Sequence, residues 1–180
     1  MLEGRFSIVV GDLTQSGAEV IVNAANTTLL GGKGVDGAIH AAAGPGLLAE
    51  CKTLGGCPTG RAKLTGGYRL RARYVIHTPG PVWRGGDRGE PALLASCYRS
   101  SLELAAERGI RSVDFPSIST GVYRYPVDRA AETALETIAD FLQTHPMPER
   151  VRMICHSEQV AEIYRQTWNL WYAEDKEQRL

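Results

Sequence analysis

The chain has 180 residues, of which 43% are hydrophobic and 22% are charged, so it can bury a core and is not a disordered segment. This length is typical of one domain, and we expect a single domain over residues 1–180. Twenty basic residues balance twenty acidic ones. The chain therefore lacks the net positive charge that drives non-specific binding, and we do not expect nucleic acid as a primary partner.

The cysteines and the amino terminus predict a cytoplasmic protein without a metal or a cofactor. The four cysteines are irregularly spaced and form no CxxC pair: Cys51, Cys57, Cys97 and Cys155. Reduced thiols are therefore expected. Cys155 and His156 are adjacent, but neighbouring side chains of a strand point to opposite faces and chelate a metal poorly. The amino-terminal apolar run covers only residues 6–10, which excludes a signal peptide and a membrane span.

Strand-like and helical segments alternate along the chain. The predicted strands are 6–10, 19–25, 61–64, 74–78, 112–115 and 151–155, with a turn at Gly66-Gly67. The predicted helices are 35–43, 47–52, 90–108, 126–145 and one that follows Ser157. Pro126 suits a first helical position and Ser157 suits an N-cap, whereas the charged residues from Ala173 onward are expected to fray.

This alternation predicts an α/β fold with a mixed, mostly parallel sheet between helix layers. Segment 19–25 is nearly continuous in apolar residues, as expected of a strand covered on both faces. Ligands of such sheets bind beyond the carboxyl ends of the strands. The loops that follow strands are therefore the candidates for the functional site.

The first such loop is Gly11-Asp12-Leu13-Thr14. Asp12 can cap a helix, or its carboxylate can accept hydrogen bonds from a ligand amine. The tetrapeptide alone favours the cap, and both interpretations stay open.

The second loop is rich in glycine and matches G-x-G-x-x-G at residues 32–37. Several residues separate it from the preceding strand, so it is not a typical dinucleotide-binding turn. The segment Gly55 to Arg61 also lacks the lysine of a Walker A loop. What the glycines support is an anion site, in which a ligand lies close to free backbone amides at a helix start.

Four polar side chains accompany this loop. Asp36, in the first turn of the predicted helix, can complement the helix dipole or can hold and activate a water. His40 lies four residues later on the same face, from where it can hydrogen-bond Asp36. Asn23 suits a structural clamp between loops, and Asn26, further out, suits contact with ligand hydroxyls.

The third loop is 117–123, in which small hydroxyl residues surround Gly121. This composition suits a second phosphate cradle, and it also suits an ordinary turn. Tyr123 can stack on a sugar ring or simply pack within the loop.

Taken together, these stretches resemble the macrodomain family, and closely its MacroD-type branch of ADP-ribosyl hydrolases. The matching segments are GDLT at 11–14, VIVNAAN at 20–26, GGKGVDGAIHAAAGP at 32–45, CPTGRAKLT at 57–65, VIHTPGPVWRGG at 75–86 and FPSISTGVYRYP at 115–126. The resemblance implies a three-layer α/β/α macrodomain fold that binds ADP-ribose.

The resemblance also implies roles for individual residues. Asp12 would meet the adenine amine, and Asn26 and Asp36 would be the catalytic pair. Independently of the resemblance, we expect Asn23 and His40 to support this pair without contacting the substrate. The implied substrate-binding residues are Asp12, Leu13, Asn26, Gly32, Lys33, Gly34, Val35, Asp36, Ser119, Thr120, Gly121, Val122 and Tyr123. The chain departs from the family at Lys33, where glycine is more frequent, and at Ala41, where a basic residue is common.

We therefore expect a hydrolase that cleaves esters of ADP-ribose, with O-acetyl-ADP-ribose and mono-ADP-ribosylated proteins as substrates. The alternative is a module that binds ADP-ribose without cleaving it. A third interpretation, an RNA- or protein-binding regulator that uses helix 157–180, is opposed by the zero net charge. No heptad seam is visible, so a monomer without a membrane partner is expected.

Overall fold

The structure is a computed structural model that describes residue 2 and residues 4–178. Within these residues, six strands form one sheet that is flanked by helices. The strands are β1 (Phe6–Val10), β2 (Val20–Ala25), β3 (Lys63–Gly66), β4 (Tyr74–Pro79), β5 (Ser112–Phe115) and β6 (Arg150–Cys155). The helices are α1 (Gly34–Ala43), α2 (Pro45–Thr53), α3 (Glu90–Glu107), α4 (Val127–Thr144) and α5 (Glu158–Gln178), with a short 3-10 helix at Leu13–Gln15.

The order of the strands across the sheet is β1-β6-β5-β2-β4-β3. Every neighbouring pair is parallel except β3 and β4, which run antiparallel. The carboxyl ends of β1, β6, β5, β2 and β4 therefore meet at one edge of the sheet, where ligands of this fold class bind.

The core lies on both faces of the sheet. Val20 and Val22 of β2 face a cluster to which α3, α4 and α5 contribute, while Ile21 of the same strand faces a second cluster with α1 and α2. All three side chains are fully buried, because successive residues of a strand point to opposite faces and helices cover both. The predicted three-layer α/β/α fold with a mixed, mostly parallel sheet is confirmed.

Some predicted boundaries are wrong. The strand predicted at 61–64 begins at Lys63, because the Arg61 amide donates to the Pro58 carbonyl at 3.0 Å and closes a turn there. Gly66 belongs to this strand rather than to the following turn, since it pairs with Tyr74. Pro126 precedes the first residue of α4 in an extended conformation instead of being that residue.

The last helix begins as predicted. Ser157 caps α5, with its Oγ accepting a hydrogen bond from the Val160 amide at 3.2 Å. The helix continues to Gln178, beyond Ala173, where fraying was expected, and residues 179–180 lie outside the described part. Packing of Trp168 against Phe6, with ring centroids 5.0 Å apart, ties the second half of this helix to β1.

The four cysteines are all buried and carry free thiols. No helix in the part of the chain that the structure describes is long and apolar enough to cross a membrane.

Candidate active site

A cleft of about 810 Å³ lies at the carboxyl edge of the sheet. The loops after β1, β2 and β5 form most of its wall. All the residues predicted to bind substrate line it: Asp12, Leu13, Asn26, Gly32, Lys33, Gly34, Val35, Asp36, Ser119, Thr120, Gly121, Val122 and Tyr123. The fold thus brings together segments that are more than one hundred residues apart in the chain.

Asp12 caps the 3-10 helix at one end of this cleft. Its Oδ1 accepts hydrogen bonds from the Thr14 amide at 3.0 Å and from the Thr14 hydroxyl at 2.7 Å. The cap interpretation is therefore confirmed. Its other oxygen, Oδ2, accepts no hydrogen bond from the described residues, so the exposed carboxylate keeps one acceptor for a ligand.

The amino terminus of α1 opens onto the cleft. Lys33 stands at the N-cap position without a side-chain hydrogen bond, so no side chain occupies the amides of the first turn. Amides at a helix start have no partner within the helix and carry its positive dipole end. The first turn, at residues 34–36, thus offers an anion-binding wall of backbone amides.

Asp36 lies in this first turn and is only 4% exposed. Its Oδ1 accepts a hydrogen bond from Asn23 Nδ2 at 2.8 Å. Its Oδ2 faces Gly32, since a Cβ atom at Gly32 would lie 3.0 Å from that oxygen. Burial raises the pKa of the Asp36 carboxyl, and the Asn23 hydrogen bond and the nearby His40 partly oppose this rise. One carboxylate oxygen is therefore anchored and the other is directed toward the cleft.

His40 lies behind Asp36, outside the cleft lining. Its Nε2 is 3.5 Å from Asp36 Oδ1 and has no hydrogen-bond partner among the described residues. His40 thus lies beside Asp36 on the same helix face, as expected, but this contact is too long for the hydrogen bond that the sequence allows, and Asn23 Nδ2 is the closer donor at 2.8 Å.

Asn23 is the clamp that the sequence predicts, although it joins other elements than expected. It is fully buried on β2, and its Nδ2 donates to Asp36 Oδ1 on α1 and to His77 Nδ1 on β4, the latter at 3.1 Å. It thus ties a helix to the sheet rather than one loop to another.

Asn26 uses most of its side-chain amide to shape its own loop. Its Oδ1 accepts hydrogen bonds from the Thr28 hydroxyl at 2.6 Å and from the Leu29 amide at 3.1 Å, and its Nδ2 donates to the Gly31 carbonyl at 2.8 Å. Only the second N–H of Nδ2 remains for a ligand. Asn26 also lies near Asp36, since a Cβ atom at Gly32 would be 3.5 Å from Asn26 Nδ2.

Two buried tyrosines form hydrogen bonds with the third loop. The Ser117 hydroxyl contacts the Tyr164 hydroxyl at 2.6 Å, and Tyr98 accepts a hydrogen bond from the Ile118 amide at 3.1 Å. The Thr120 hydroxyl donates to the Ser117 carbonyl at 2.9 Å. Two of the hydroxyls thus stabilise the turn itself, which leaves the amides of residues 120–123 for a ligand, since they donate to no acceptor within the described chain.

The approach of this loop to β4 requires a glycine. A Cβ atom at Gly80, just after that strand, would lie 2.2 Å from Ser119 Oγ. Tyr123, half-buried at the far end of the loop, accepts a hydrogen bond from the Trp83 amide through its carbonyl at 2.9 Å. The residue also lines the cleft, so loop packing and contact with a ligand are compatible.

Sequence reasoning missed several lining residues. They end or follow strands, and they include Val10, Ala24, Gly80, Pro116, Ile154 and His156. The strand ends were the available signal, but which of them meet depends on the order of strands in the sheet. The described residues contain no group of three or more His, Cys, Asp or Glu side chains that could hold a metal ion.

Comparisons with known proteins agree with this geometry. The sequence profile of the Macro domain family matches residues 22–134. A Macro domain-containing protein of Methanosarcina mazei is 58% identical over 154 residues, which cover 86% of this chain and 82% of that protein. A protein of Cronobacter sakazakii named O-acetyl-ADP-ribose deacetylase is 51% identical over 168 residues, covering 91% of this chain and 93% of that one.

Among solved structures, a variant of the Oceanobacillus iheyensis macrodomain with ADPR superimposes with a TM-score of 0.92. It is 44% identical, and the match covers 96% of this chain and 97% of that chain. With the sequence profile, the two relatives and this fold in agreement, the chain belongs to the Macro domain family.

Proposed function

We propose that this protein binds ADP-ribose in the cleft and hydrolyses esters of its terminal ribose. The substrates are O-acetyl-ADP-ribose and proteins that carry mono-ADP-ribose on Asp or Glu side chains. The observation that carries the proposal is the Asp36 carboxylate, which is anchored through Oδ1 and directs Oδ2 toward the space beside Gly32 and Asn26. Similarity to relatives that are named O-acetyl-ADP-ribose deacetylase supports the same activity.

Binding of ADP-ribose follows from the distribution of hydrogen-bond donors. The pyrophosphate carries two negative charges, and the amides at the start of α1 and in loop 120–123 accommodate them, with Lys33 at the N-cap position of α1. The free oxygen of Asp12 accepts a hydrogen bond from the adenine amine at the other end. The cleft of about 810 Å³ falls within the range of roughly 300–1,000 Å³ that is typical of small-molecule sites.

The reaction follows from the position of Asp36. Its free oxygen takes a proton from a water molecule, the water oxygen attacks the ester carbonyl carbon, and the bond from that carbon to the ribose oxygen breaks. The ribose oxygen takes up the proton that Asp36 accepted from the water, and the products are a carboxylic acid and free ADP-ribose. Because burial raises the pKa of Asp36, its carboxylate is a stronger base than an exposed one. General bases contribute factors of about 10²–10⁴ in rate.

Asn26 and the neighbouring loop position the substrate for this step. The remaining N–H of Asn26 donates to a hydroxyl of the terminal ribose, and Tyr123 lies against the same sugar from the opposite loop. Positioning of this kind removes much of the entropic cost of bringing water and ester together.

The test uses purified protein with O-acetyl-ADP-ribose and, separately, with an automodified acceptor protein. We expect release of acetate and of ADP-ribose above the uncatalysed background. Calorimetry with ADP-ribose on the same preparation measures binding. Tight binding without turnover would replace this proposal by a module that only recognises ADP-ribose, and absence of both would contradict the assignment of the cleft.

A further inference from the structure

We propose that His77 is a positioning residue, which orients the side chain of Asn23 and through it fixes the Asp36 carboxylate for the hydrolysis proposed above. The inference rests on that proposed function. His77 is fully buried and lies outside the cleft lining. Its effect is transmitted through a chain of hydrogen bonds inside the fold.

The chain of contacts crosses three strands. His77 lies in the middle of β4 and is fully buried, and the parallel register places it beside Asn23 of β2. Its Nδ1 is 3.1 Å from Asn23 Nδ2, and its Nε2 is 2.8 Å from the Thr65 hydroxyl of β3. Asn23 Nδ2 continues the chain to Asp36 Oδ1 at 2.8 Å.

The contacts determine which atom donates at each step. Asn23 must turn its NH₂ group toward Asp36, because its amide oxygen would repel an ionised carboxylate. Its second N–H then points to His77 Nδ1, which has to be the bare, accepting nitrogen of the ring. The ring proton therefore resides on Nε2 and is donated to the Thr65 hydroxyl, which in turn donates to the Gly66 carbonyl at 3.1 Å.

Burial keeps this arrangement constant. It lowers the pKa of His77 to about 4, so the ring is neutral at ordinary assay pH and Nδ1 remains an acceptor. His77 thus acts as a fixed acceptor rather than as a group that exchanges protons during turnover.

Asn23 depends on His77 because, among the described residues, only His77 and Asp36 hydrogen-bond its side-chain amide. The Oδ1 atom of Asn23 is buried and has no hydrogen-bond partner among the described residues. Its two N–H bonds, to Asp36 and to His77, are therefore the contacts that set its rotation. Without the acceptor on His77, one of the two is lost, and the Oδ1 atom of Asp36 loses a rigid donor.

Two substitutions of His77 separate this role from simple packing. His77→Asn places an amide oxygen near the position of Nδ1, where it can still accept from Asn23. His77→Gln reaches the position of Nε2 instead, where it can contact Thr65 but offers Asn23 no acceptor. The two variants differ by one methylene, so each is the control for the other.

The readouts are kcat and KM for O-acetyl-ADP-ribose together with the affinity for ADP-ribose. We expect His77→Gln to lower kcat about tenfold, which corresponds to the loss of about one hydrogen bond, with KM and ADP-ribose affinity unchanged. His77→Asn is expected to retain most of the kcat. Equal losses in both folded variants, or no loss in His77→Gln, would overturn the proposal.

A spectroscopic measurement tests the proposal without any variant. In the nitrogen-15 spectrum of the imidazole rings of the wild-type protein, we expect His77 to show an unprotonated Nδ1 and a protonated Nε2. The opposite tautomer would overturn the proposal. Failure of the proposed function is distinguishable, because the wild-type protein would then show no turnover while the tautomer remained as expected.

Discussion

Gly32→Ala tests whether a water molecule occupies the space beside Asp36. The added methyl carbon would lie 3.0 Å from Asp36 Oδ2 and 3.5 Å from Asn26 Nδ2. A water bound to a carboxylate lies about 2.7–2.8 Å from its oxygen, so the methyl group takes nearly the same place. Asp36 cannot easily withdraw, because Asn23 anchors its other oxygen at 2.8 Å.

We expect Gly32→Ala to lower kcat about 10²-fold, or about 2.7 kcal/mol, which is the lower end of what a general base contributes. Steady-state hydrolysis of O-acetyl-ADP-ribose measures this, with ADP-ribose affinity from calorimetry. Gly17→Ala is the matched control, since neither glycine has a positive φ and a Cβ atom at Gly17 meets nothing within 4 Å. An unchanged kcat in Gly32→Ala would refute a water between Asp36 and Gly32.

Three further substitutions probe the site and the core. Asn23→Ala removes the hydrogen bond that opposes the raised pKa of Asp36, so that pKa rises further. Because the base acts as the carboxylate, we expect the acid limb of the pH–kcat profile to move to higher pH. An unmoved limb would argue against Asp36 as the base. Asp12→Ala is expected to weaken ADP-ribose binding about tenfold in calorimetry while kcat is retained. An unchanged affinity would show that the adenine lies elsewhere. Asp114→Ala removes the buried carboxylate that lies 2.6 Å from the guanidinium of Arg152. We expect the free energy of unfolding, measured by urea titration, to fall by about 3 kcal/mol. A loss near zero would show that the pair contributes little.

Much of the fold is readable from local sequence patterns. The apolar, β-branched run at 6–10 predicts β1, and segment 112–115 predicts β5, both with the bounds that the structure has. Glycine and proline residues near the helix ends locate the helix boundaries to within a few residues. The antiparallel pairing of β3 is different, because the direction of a strand depends on where the chain enters the sheet, and no local pattern records that.

The candidate site divides in the same way. The loops that line the cleft are recognisable because each follows a strand and is rich in small residues. The role of His77 is not, since it reads as one more residue of a buried strand, and its partner Asn23 lies 54 residues away. For Asn26 the sequence suggests more than the structure bears out. Its position predicts a ligand contact, but most of its side-chain amide is engaged in hydrogen bonds within the turn that leads to Gly31.

The most direct test of the account is the kcat of Asp36→Ala for O-acetyl-ADP-ribose at saturating substrate, with ADP-ribose affinity measured on the same sample. We expect a kcat lowered by about 10²–10⁴-fold and an affinity close to that of the wild type, because the amides of α1 and of loop 120–123 remain in place. A variant that binds ADP-ribose and turns over at the wild-type rate would contradict it.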